Sequence, residues 1–430
     1  MVLVVGMERS GIAAAWLLRK QGKDVFISDS GKPKGIDDIP HETGKHTLAR
    51  FLEAEEIVVS PGVPLDIEPL KAARAKGVPI IGEVELAYRY LQGEIVAVTG
   101  SNGKTTTTTL MGEVLKATGR PVQVGGNIGI AITGLVETST PRTINVVEVS
   151  SFQLDAIQRF RPRVAVLLNI TPDHLDRYTD FAAYRHSKFR IFRNQTESDT
   201  AVLNRDDPQV FPAETRSEQR LFSQKSKVER GAYRSGSDLY LDGDPVMRVE
   251  EIPLKGSHNV ENVLAVMAAA AVYKVPADAL ARVVREFRGV EHRLEYVATI
   301  DGIDFYNDSK ATNVDSAIKA VESFAGNIII ILGGKDKGAS YAPLVEAMRE
   351  RVKHVLLIGA AAPKISEVIG DRFPKTPVVS MDDAVDKSLA MGRAGDIVLL
   401  SPACASFDMF DNYEHRGKVF KETVKARCHG

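Results

Sequence analysis

Short runs of apolar residues recur along this chain, separated by stretches with a helical period. In the first ninety residues such runs occupy 2–5, 24–28, 57–60 and 78–81, and a helical stretch occupies 11–20. Strands that are apolar along most of their length are typical of a parallel sheet covered on both faces. The pattern therefore predicts an α/β domain at the start of the chain.

The same pattern returns twice. Further buried strands are predicted at 95–99, 144–150, 163–169, 327–332, 354–359, 376–380 and 396–400. Between about 220 and 253 the runs shorten, with a turn at Asp242-Gly243, and a helix is predicted at 258–273. Asp301-Gly302, flanked by apolar runs, predicts a hairpin. We interpret the chain as three α/β domains, with borders near 92 and 290.

Composition narrows the class of protein. The 430 residues include 55 Lys+Arg and 56 Asp+Glu, a net charge of −1, with 44% hydrophobic residues. This balance disfavours a protein that coats nucleic acid or an anionic membrane. Two cysteines exclude a disulfide scaffold. The start lacks a basic segment and a cleavage site, and no apolar stretch is long enough to span a bilayer. We expect a soluble cytoplasmic protein without nucleic-acid or membrane partners.

The segment IVAVTGSNGKTTTTT at 95–109 is the most informative one. A buried strand runs into a glycine turn and then a helix, so backbone N–H groups and the helix N-terminus can bind phosphate. Lys104 can reach the β- and γ-phosphates, and the Thr105 hydroxyl can bind Mg²⁺. The alternative is an ordinary βα turn with an exposed lysine. The predicted nucleotide-binding residues are Gly100, Asn102, Gly103, Lys104, Thr105 and Thr106.

Three ionisable residues downstream carry candidate chemistry. Glu148 lies within an apolar strand, where a carboxylate needs a partner or a metal. His174 follows the next strand, at the sheet edge where ligands bind in open α/β sheets. Lys188 shares a helix face with apolar residues. The alternatives are a salt-bridged glutamate, a packing histidine and a lysine that extends its amine to solvent.

The ordered motifs resemble one family. Together they are similar to the motifs of the Mur ligases, and the resemblance covers the whole chain. In chain order the motifs are TGSNGKTTT, EVSSFQLD, NITPDHLDRY, LKGSHNVEN, HRLE, NDSKATNV, LGGKDKG and SPACASFDMF. NDSKATNV and SPACAS resemble the D-glutamate-adding member, and the Asp-Asn-Pro-Arg motif of the diaminopimelate- or lysine-adding member is absent from the sequence. The resemblance implies a Rossmann-like N-terminal domain, a central P-loop ATPase-like domain and a Rossmann-like C-terminal domain.

The resemblance also implies a reaction. The carboxylate of UDP-N-acetylmuramoyl-L-alanine would attack the γ-phosphate of ATP, and the amino group of D-glutamate would attack the resulting acyl phosphate. Residues 1–92 would bind the UDP-linked substrate, 93–290 ATP, and 291–430 the amino acid. ATP and two Mg²⁺ ions are the implied cofactors, and a monomer is expected.

Catalytic and metal-binding roles follow by matching motifs. Lys104, His174 and Lys188 are the implied catalytic residues. Thr105 and Glu148 would hold the first Mg²⁺, and His174 the second. Lys188 matches the lysine that the family carries as a carbamate, a modification that turns a cation into an anionic metal or phosphate partner.

The remaining matches fall into three groups. Asn127 and Asn262 match adenine contacts, while His292, Arg293, Asp308 and Lys310 match contacts with the ATP ribose and phosphates. Ser151 and Gln153 match positions near the muramoyl peptide. Thr312, Lys337, Ser406 and Phe407 match the amino-acid pocket, where Lys337 and Thr312 would face the side-chain carboxylate.

The N-terminal segment GMERSG is a poor dinucleotide fingerprint. Glu8 stands where a middle glycine is needed and would repel a pyrophosphate, which disfavours NAD. The resemblance places the UDP group in this domain instead. Gly31 stands where the family commonly has an arginine, and Arg9 would take over the role of that arginine. Arg9, Ser10 and Gly11 would lie near the diphosphate, Asp29 and Ser30 near the uracil, and Ser60 and Gly62 beside the groove.

Two other functions stay open. A sister ligase would use another amino acid or extend a folyl-polyglutamate. A nucleotide-binding switch would explain the P-loop and Glu148, but gives no reason for Lys188, Arg293 and Lys310. If the third domain supplies residues to an ATP site on the second, hinge closure is expected.

Overall fold

The computed structural model describes residues 1–31, 38–173 and 177–428. It contains three sheets, each covered by helices, and the predicted α/β class with three domains is confirmed. The chain forms two compact units: residues 1–251 with 261–285, and residues 252–260 with 286 onwards. The first unit contains two of the sheets and the second unit contains the third. Domain borders at 92 and 290 stay predictions.

The first sheet is parallel, with strand order β3-β2-β1-β4-β5. Its central strand is buried on both faces, as the apolar sequence VLVV requires. From β1 the chain adds β2 and β3 on one side and then β4 and β5 on the other, so the loops after β1 and β4 border a crevice. The elements are β1 (Val2–Val5), α1 (Arg9–Lys20), β2 (Val25–Asp29), β3 (His41–Thr43), α2 (Leu48–Glu53), β4 (Glu56–Val59), α3 (Glu68–Ala75), β5 (Ile80–Gly82) and α4 (Glu83–Tyr88).

The second sheet has nine strands in the order β14-β13-β12-β11-β10-β9-β6-β8-β7. It is parallel from β7 to β12 and antiparallel beyond. The turn at Asp242-Gly243 joins β13 to β14 as predicted, with φ of 52° and 98°. The elements are β6 (Glu94–Thr99), α5 (Lys104–Leu115), β7 (Val122–Gly126), α6 (Ile132–Leu135), β8 (Ile144–Glu148), α7 (Ser151–Asp155), β9 (Val164–Leu167), α8 (Phe181–Phe189), β10 (Thr200–Asn204), β11 (Glu218–Ser223), β12 (Gly231–Ser235), β13 (Asp238–Leu241), β14 (Asp244–Arg248), α9 (Ser257–Ala270) and α10 (Ala277–Glu286).

The third sheet has the order β15-β16-β20-β17-β18-β19 and is parallel except for the β15–β16 hairpin. Asp301 and Gly302 form the predicted hairpin turn, with φ of 52° and 77°. The elements are β15 (Glu295–Ile300), β16 (Ile303–Asn307), α11 (Val314–Glu322), β17 (Ile328–Gly333), α12 (Ala342–Met348), β18 (Val352–Ile358), α13 (Ala362–Ile369), β19 (Lys375–Pro377), α14 (Met381–Met391), β20 (Ile397–Leu400) and α15 (Tyr413–Arg427).

Sequence patterns missed several strands and misplaced one. β3 and β7 were not predicted, because short or glycine-containing runs carry a weak apolar signal. β10, with the sequence TAVLN, was also not predicted, although it is buried along its whole length. The strand expected at 376–380 ends instead at Pro377, and Val379 is exposed. Within the described part of the chain, no helix is both long and apolar enough to cross a membrane.

Candidate functional site

The predicted phosphate-binding loop lies at the carboxyl end of β6, the strand between β8 and β9. Gly103 begins α5 with φ of 84°, a conformation that favours glycine. A Cβ atom on Gly103 would lie 2.3 Å from Oδ1 of Asn262. Asn262 also accepts a hydrogen bond from Thr107 Oγ1 at 3.2 Å. Glycine is therefore required here both by the backbone angle and by the close approach of Asn262.

A residue that sequence reasoning did not select fixes the loop. Asn169, which follows β9, accepts a hydrogen bond from the backbone N–H of Asn102 at 2.8 Å and donates to its carbonyl at 3.1 Å. Ser101 Oγ donates to the carbonyl of Thr171 at 3.0 Å. The loop after β9 thus holds the phosphate-binding loop. An amide immediately after a buried strand was the available signal.

Thr105 and Glu148 meet as the metal assignment requires. Thr105 Oγ1 donates to Glu148 Oε2 at 2.7 Å, and the Glu148 side chain is buried. Hydroxyl and carboxylate oxygens are the hard donors that Mg²⁺ prefers. This pair fits a magnesium ion bound beside the phosphate loop.

Asn127 contacts the carboxylate of Glu148. The side-chain Nδ2 of Asn127 donates to Glu148 Oε1 at 2.8 Å, and its backbone carbonyl accepts from Arg9 Nη2 at 3.0 Å. Asn262 instead contacts the start of α5. Asn127 thus orients the Glu148 carboxylate, and its expected adenine contact stays a prediction.

The other predicted P-loop residues lie at the loop and the first turn of α5. Lys104 Nζ donates to the carbonyls of Gly100 and Ser101 at 2.9 and 2.7 Å. Thr106 is buried, and its Oγ1 has no hydrogen-bond partner among the described residues. The ammonium group thus lies against the loop that would surround the phosphates.

Lys188 is buried beneath the same loop. Its Nζ donates to the carbonyl of Gly100 at 2.9 Å and lies 4.6 Å from the ring centroid of Tyr184. Burial, reinforced by the charge of Lys104, lowers the pKa of Lys188 well below its usual value. The alternative in which Lys188 extends its amine to solvent is therefore wrong. Tyr184, whose hydroxyl lies 3.0 Å from Ser101 Oγ, was not selected from the sequence.

His174, the predicted second metal ligand and catalytic histidine, lies outside the described residues. Ser151 and Gln153 begin α7, directly after β8. Gln153 Oε1 accepts from the backbone N–H of Ser150 at 2.9 Å, which completes a capping box. Because its oxygen caps the helix, Gln153 would contact a substrate through Nε2.

The N-terminal domain has a cavity of about 540 Å³ at the crevice between the loops after β1 and β4. Asn127 from the central domain also lines it. Asp29 accepts hydrogen bonds from the backbone N–H groups of Met7 and Gly31. Six predicted substrate residues line this cavity: Arg9, Ser10, Asp29, Ser30, Ser60 and Gly62.

Gly11 differs from those six residues. A Cβ atom at this position would lie 1.9 Å from the carbonyl oxygen of Gly6 and 2.6 Å from Ser60 Oγ. Gly11 is therefore required so that α1 can pack against the loops after β1 and β4. Its expected position near the diphosphate stays a prediction.

In the second unit, NDSKATNV follows β16. Asp308 is buried, accepts from Ser401 Oγ at 2.8 Å, and burial raises its pKa to about 7. Lys310 Nζ lies 5.3 Å from the ring centroid of Tyr413. Lys337 Nζ donates to Thr312 Oγ1 at 3.5 Å, so the two residues expected to face one carboxylate do lie together.

The ring of His292 packs against its own unit of the chain. The imidazole is buried, and its Nδ1 lies 2.9 Å from Asn307 Nδ2. A Cβ atom at Gly417 would lie 2.2 Å from the same nitrogen. The expected ATP contact of His292 stays a prediction. Its neighbour Arg293 has a buried Nε without a hydrogen-bond partner in the described part of the chain.

A buried arginine missed by sequence reasoning joins two motif loops of the second unit. Arg416 Nε and Nη2 donate to Ser309 Oγ and Ser309 O at 2.9 and 2.7 Å, and Nη1 donates to Cys404 O at 3.2 Å. Ser406 is buried and Phe407 is 68% exposed, so a pocket there would use backbone groups of Phe407. An arginine in a charged helix gave no sequence signal.

Strand, glycine loop and helix, with a buried hydroxyl–carboxylate pair beside them, define an α/β protein that binds a nucleoside triphosphate. Three family models match: the Mur ligase MurD-like N-terminal domain at 1–82, the Mur ligase middle domain at 98–270, and the Mur ligase glutamate ligase domain at 292–404.

Known proteins agree with these matches. The UDP-N-acetylmuramoylalanine--D-glutamate ligase of Acidobacterium capsulatum is 49% identical, over 99% of this chain and 96% of its own. That of Solibacter usitatus is 48% identical over 99% and 97%. The structure of UDP-N-acetylmuramate-alanine ligase MurC from Thermotoga maritima has a TM-score of 0.64 at 19% identity, covering 99% of both chains. The chain belongs to the Mur ligase family, whose members are ATP-dependent.

Proposed function

We propose that this protein joins D-glutamate to UDP-N-acetylmuramoyl-L-alanine, with ATP cleaved to ADP and phosphate, in peptidoglycan precursor synthesis. The observation that carries the proposal is the convergence of Lys104, Lys188, Thr105 and Glu148 on one glycine loop. The names of relatives that are 48–49% identical over nearly the whole chain support this choice of substrates.

The reaction brings two anions together, and the site is built for that. The substrate carboxylate attacks the γ-phosphorus and ADP leaves, which gives an acyl phosphate. The amine of D-glutamate then attacks the acyl carbon, loses a proton, and expels phosphate to form the amide. Lys104 and the N-terminus of α5 supply positive potential where these charges meet.

Thr105 and Glu148 would hold Mg²⁺, and Asn127 would keep the Glu148 carboxylate oriented. When bound, magnesium supplies charge neutralisation for the phosphates. We propose His174 for a second ion. Asn262, Arg293, Asp308 and Lys310 are proposed ATP contacts.

Lys188 is proposed as a carbamate. An uncharged amine is needed to attack CO₂, and the lowered pKa of Lys188 provides one. The nitrogen forms a bond to the CO₂ carbon and releases one proton, which leaves a carboxylate on the side chain. That carboxylate could accept a metal ion or orient a phosphate, as the unmodified ammonium could not.

The UDP-linked substrate would bind to the N-terminal domain and D-glutamate to the C-terminal domain. The cavity lined by Arg9 and Asp29 would take the UDP group. Lys337 and Thr312 would bind the side-chain carboxylate of D-glutamate, since a cation and a hydroxyl lie 3.5 Å apart there. We propose that the protein acts as a monomer in the cytoplasm.

A coupled assay of ADP release tests the function. With UDP-N-acetylmuramoyl-L-alanine, ATP and Mg²⁺, we expect turnover with D-glutamate and little with L-glutamate, L-lysine or meso-diaminopimelate. Faster turnover with another amino acid would indicate a sister ligase. ADP release that does not depend on acceptor and amino acid would indicate a nucleotide switch.

A further inference from the structure

We infer that His46 reads the nucleobase of the UDP-linked substrate, through a hydrogen-bond relay that makes its Nε2 an acceptor. This inference rests on the proposed function, since it requires that the N-terminal cavity bind UDP. His46 lines that cavity together with Asp29 and Ser30. Neither the sequence motifs nor the proposed reaction gave this histidine a role.

The relay begins at Glu42, whose carboxylate only accepts hydrogen bonds. It accepts from Thr47 N at 2.9 Å, from Thr47 Oγ1 at 2.6 Å and from Ser28 Oγ at 2.8 Å. Although burial raises it, these hydrogen bonds lower the pKa of Glu42 below its usual value. The carboxylate therefore stays ionised at neutral pH, and Ser28 has to be the donor.

Ser28 then determines the state of His46. Ser28 is fully buried, and its Oγ lies 2.7 Å from His46 Nδ1. A hydroxyl carries one proton, and Ser28 gives it to Glu42, so toward His46 its oxygen can only accept. His46 must therefore carry a proton on Nδ1. In the neutral ring, Nε2 then has a lone pair and accepts hydrogen bonds.

Packing holds the ring in this orientation. Phe51, which is fully buried, meets the His46 ring edge-on, with the centroids 5.5 Å apart. Nδ1 faces the buried Ser28, and Nε2 is on the other side of the ring from that contact. An acceptor fixed by both a relay and an aromatic neighbour is preorganised, and such a group discriminates between ligands more strongly than a mobile one.

The chemistry of uracil matches a fixed acceptor. Uracil has one N–H in its base-pairing edge, at N3, between two carbonyl groups. Cytosine has an unprotonated N3 at the same place, which would face the Nε2 lone pair and leave both groups unsatisfied. A buried polar group without its partner is costly, so this arrangement selects uracil over cytosine.

The experiment compares three forms of the UDP-linked substrate: the native one, one with N3-methyluracil, and one with cytosine. For the native protein we expect KM to rise by about tenfold or more for both analogues, with kcat little changed. In His46→Ala we expect KM for the native substrate to rise by about tenfold and the discrimination to fall below about twofold. Ser28→Ala keeps the ring but removes the relay, and should lose part of the discrimination.

His41→Ala is the matched control, because His41 lies in the same domain and its Nδ1 contacts the carbonyl of Ile39. It should keep the native discrimination. If His46→Ala still rejects the N3-methyl analogue as the native protein does, the inference is wrong. The proposed function fails separately, if the native protein releases no ADP with the native substrate and D-glutamate.

A measurement on the unmodified protein covers the case in which the variants do not fold. Nitrogen-15 NMR of the imidazole side chains distinguishes the two neutral tautomers. We expect His46 to carry its proton on Nδ1 and the Nε2 resonance to shift when UDP is added. A proton on Nε2 in the free protein, or no shift with UDP, would overturn the inference.

Discussion

Two buried cations, one in each unit of the chain, lie beneath loops that follow parallel strands. Lys188 donates to the carbonyl of Gly100 in the phosphate-binding loop. Arg416 donates to the carbonyls of Ser309 and Cys404, in the loops after β16 and β20. Each thus supports a loop that we propose to contact a substrate.

Their acid–base chemistry separates them. Burial lowers the pKa of Lys188 well below its usual value, whereas it lowers that of Arg416 to about 10. The lysine therefore loses its proton more readily than an exposed lysine and becomes nucleophilic, while the guanidinium stays charged. The comparison teaches that equal burial prepares a lysine for chemistry and an arginine for positioning.

The largest expected effect comes from removing the Lys188 amine. Lys188→Ala should lower kcat by about a thousandfold, because the proposed carbamate is lost. Acetate should restore part of the activity by supplying a carboxylate, which single-turnover assays can measure. Lys116→Ala, at an exposed lysine paired with Glu113, is the control. Full activity of Lys188→Ala without acetate would refute the catalytic carbamate.

Removal of CO₂ sharpens the contrast without any substitution at the loop. In buffers stripped of CO₂ the kcat of the native enzyme should fall about tenfold, since the Lys188 amine then has no CO₂ to react with. Added bicarbonate should restore it. Arg416→Lys should show the same fold-dependence on CO₂, because its guanidinium takes no part in that chemistry. A dependence confined to one of the two proteins would break the comparison.

The substitution Arg416→Lys tests whether the guanidinium positions the loops after β16 and β20. An ammonium cannot reproduce the three donors of the guanidinium, so KM for ATP and D-glutamate should rise by roughly tenfold, with a smaller fall in kcat. Thermal unfolding should show a loss on the order of 2 kcal/mol. Arg349→Lys, at an exposed ion pair with Glu346, should change neither. Unchanged KM values would leave Arg416 with a purely structural role.

The last prediction concerns the pH dependence of stability at Asp308, which lies beside the same loops. Its pKa is about 7 in the folded protein, because burial raises it above the unfolded value. Its contribution to stability is therefore present at low pH and is lost as the pH rises from about 4 to 7, by at most about 4 kcal/mol. Asp308→Asn should flatten the pH dependence of Tm in that range. An unchanged slope would contradict this.

Motif spacing anticipated part of the site well. Glycines before Lys104 predicted a phosphate loop, because only a tight backbone turn at a helix start serves that purpose. Glu148 in an apolar strand predicted a partner, and Thr105 is that partner. The strand, turn and helix around Lys104 are confirmed, because local sequence fixes the backbone there. The proposed ligand contacts themselves stay predictions.

Long-range partners could not be anticipated in the same way. The contact of Asn127 with Glu148 and the burial of His292 against Asn307 gave no signal in the sequence. His46 and Arg416 gave no signal at all. Each depends on segments that are distant in sequence and meet only when strands pair and helices pack.

The sequence by itself determined the α/β class, the strand–loop–helix of the phosphate site and the charges that this site would need. Those follow from apolar periodicity and glycine placement, which act over a few residues. Only the tertiary structure decided that Asn127 supports Glu148, that Ser28 and Phe51 surround His46, and that Lys188 is buried. Such properties depend on desolvation and on hydrogen-bond partners from other strands, so they exist only once the sheets have formed.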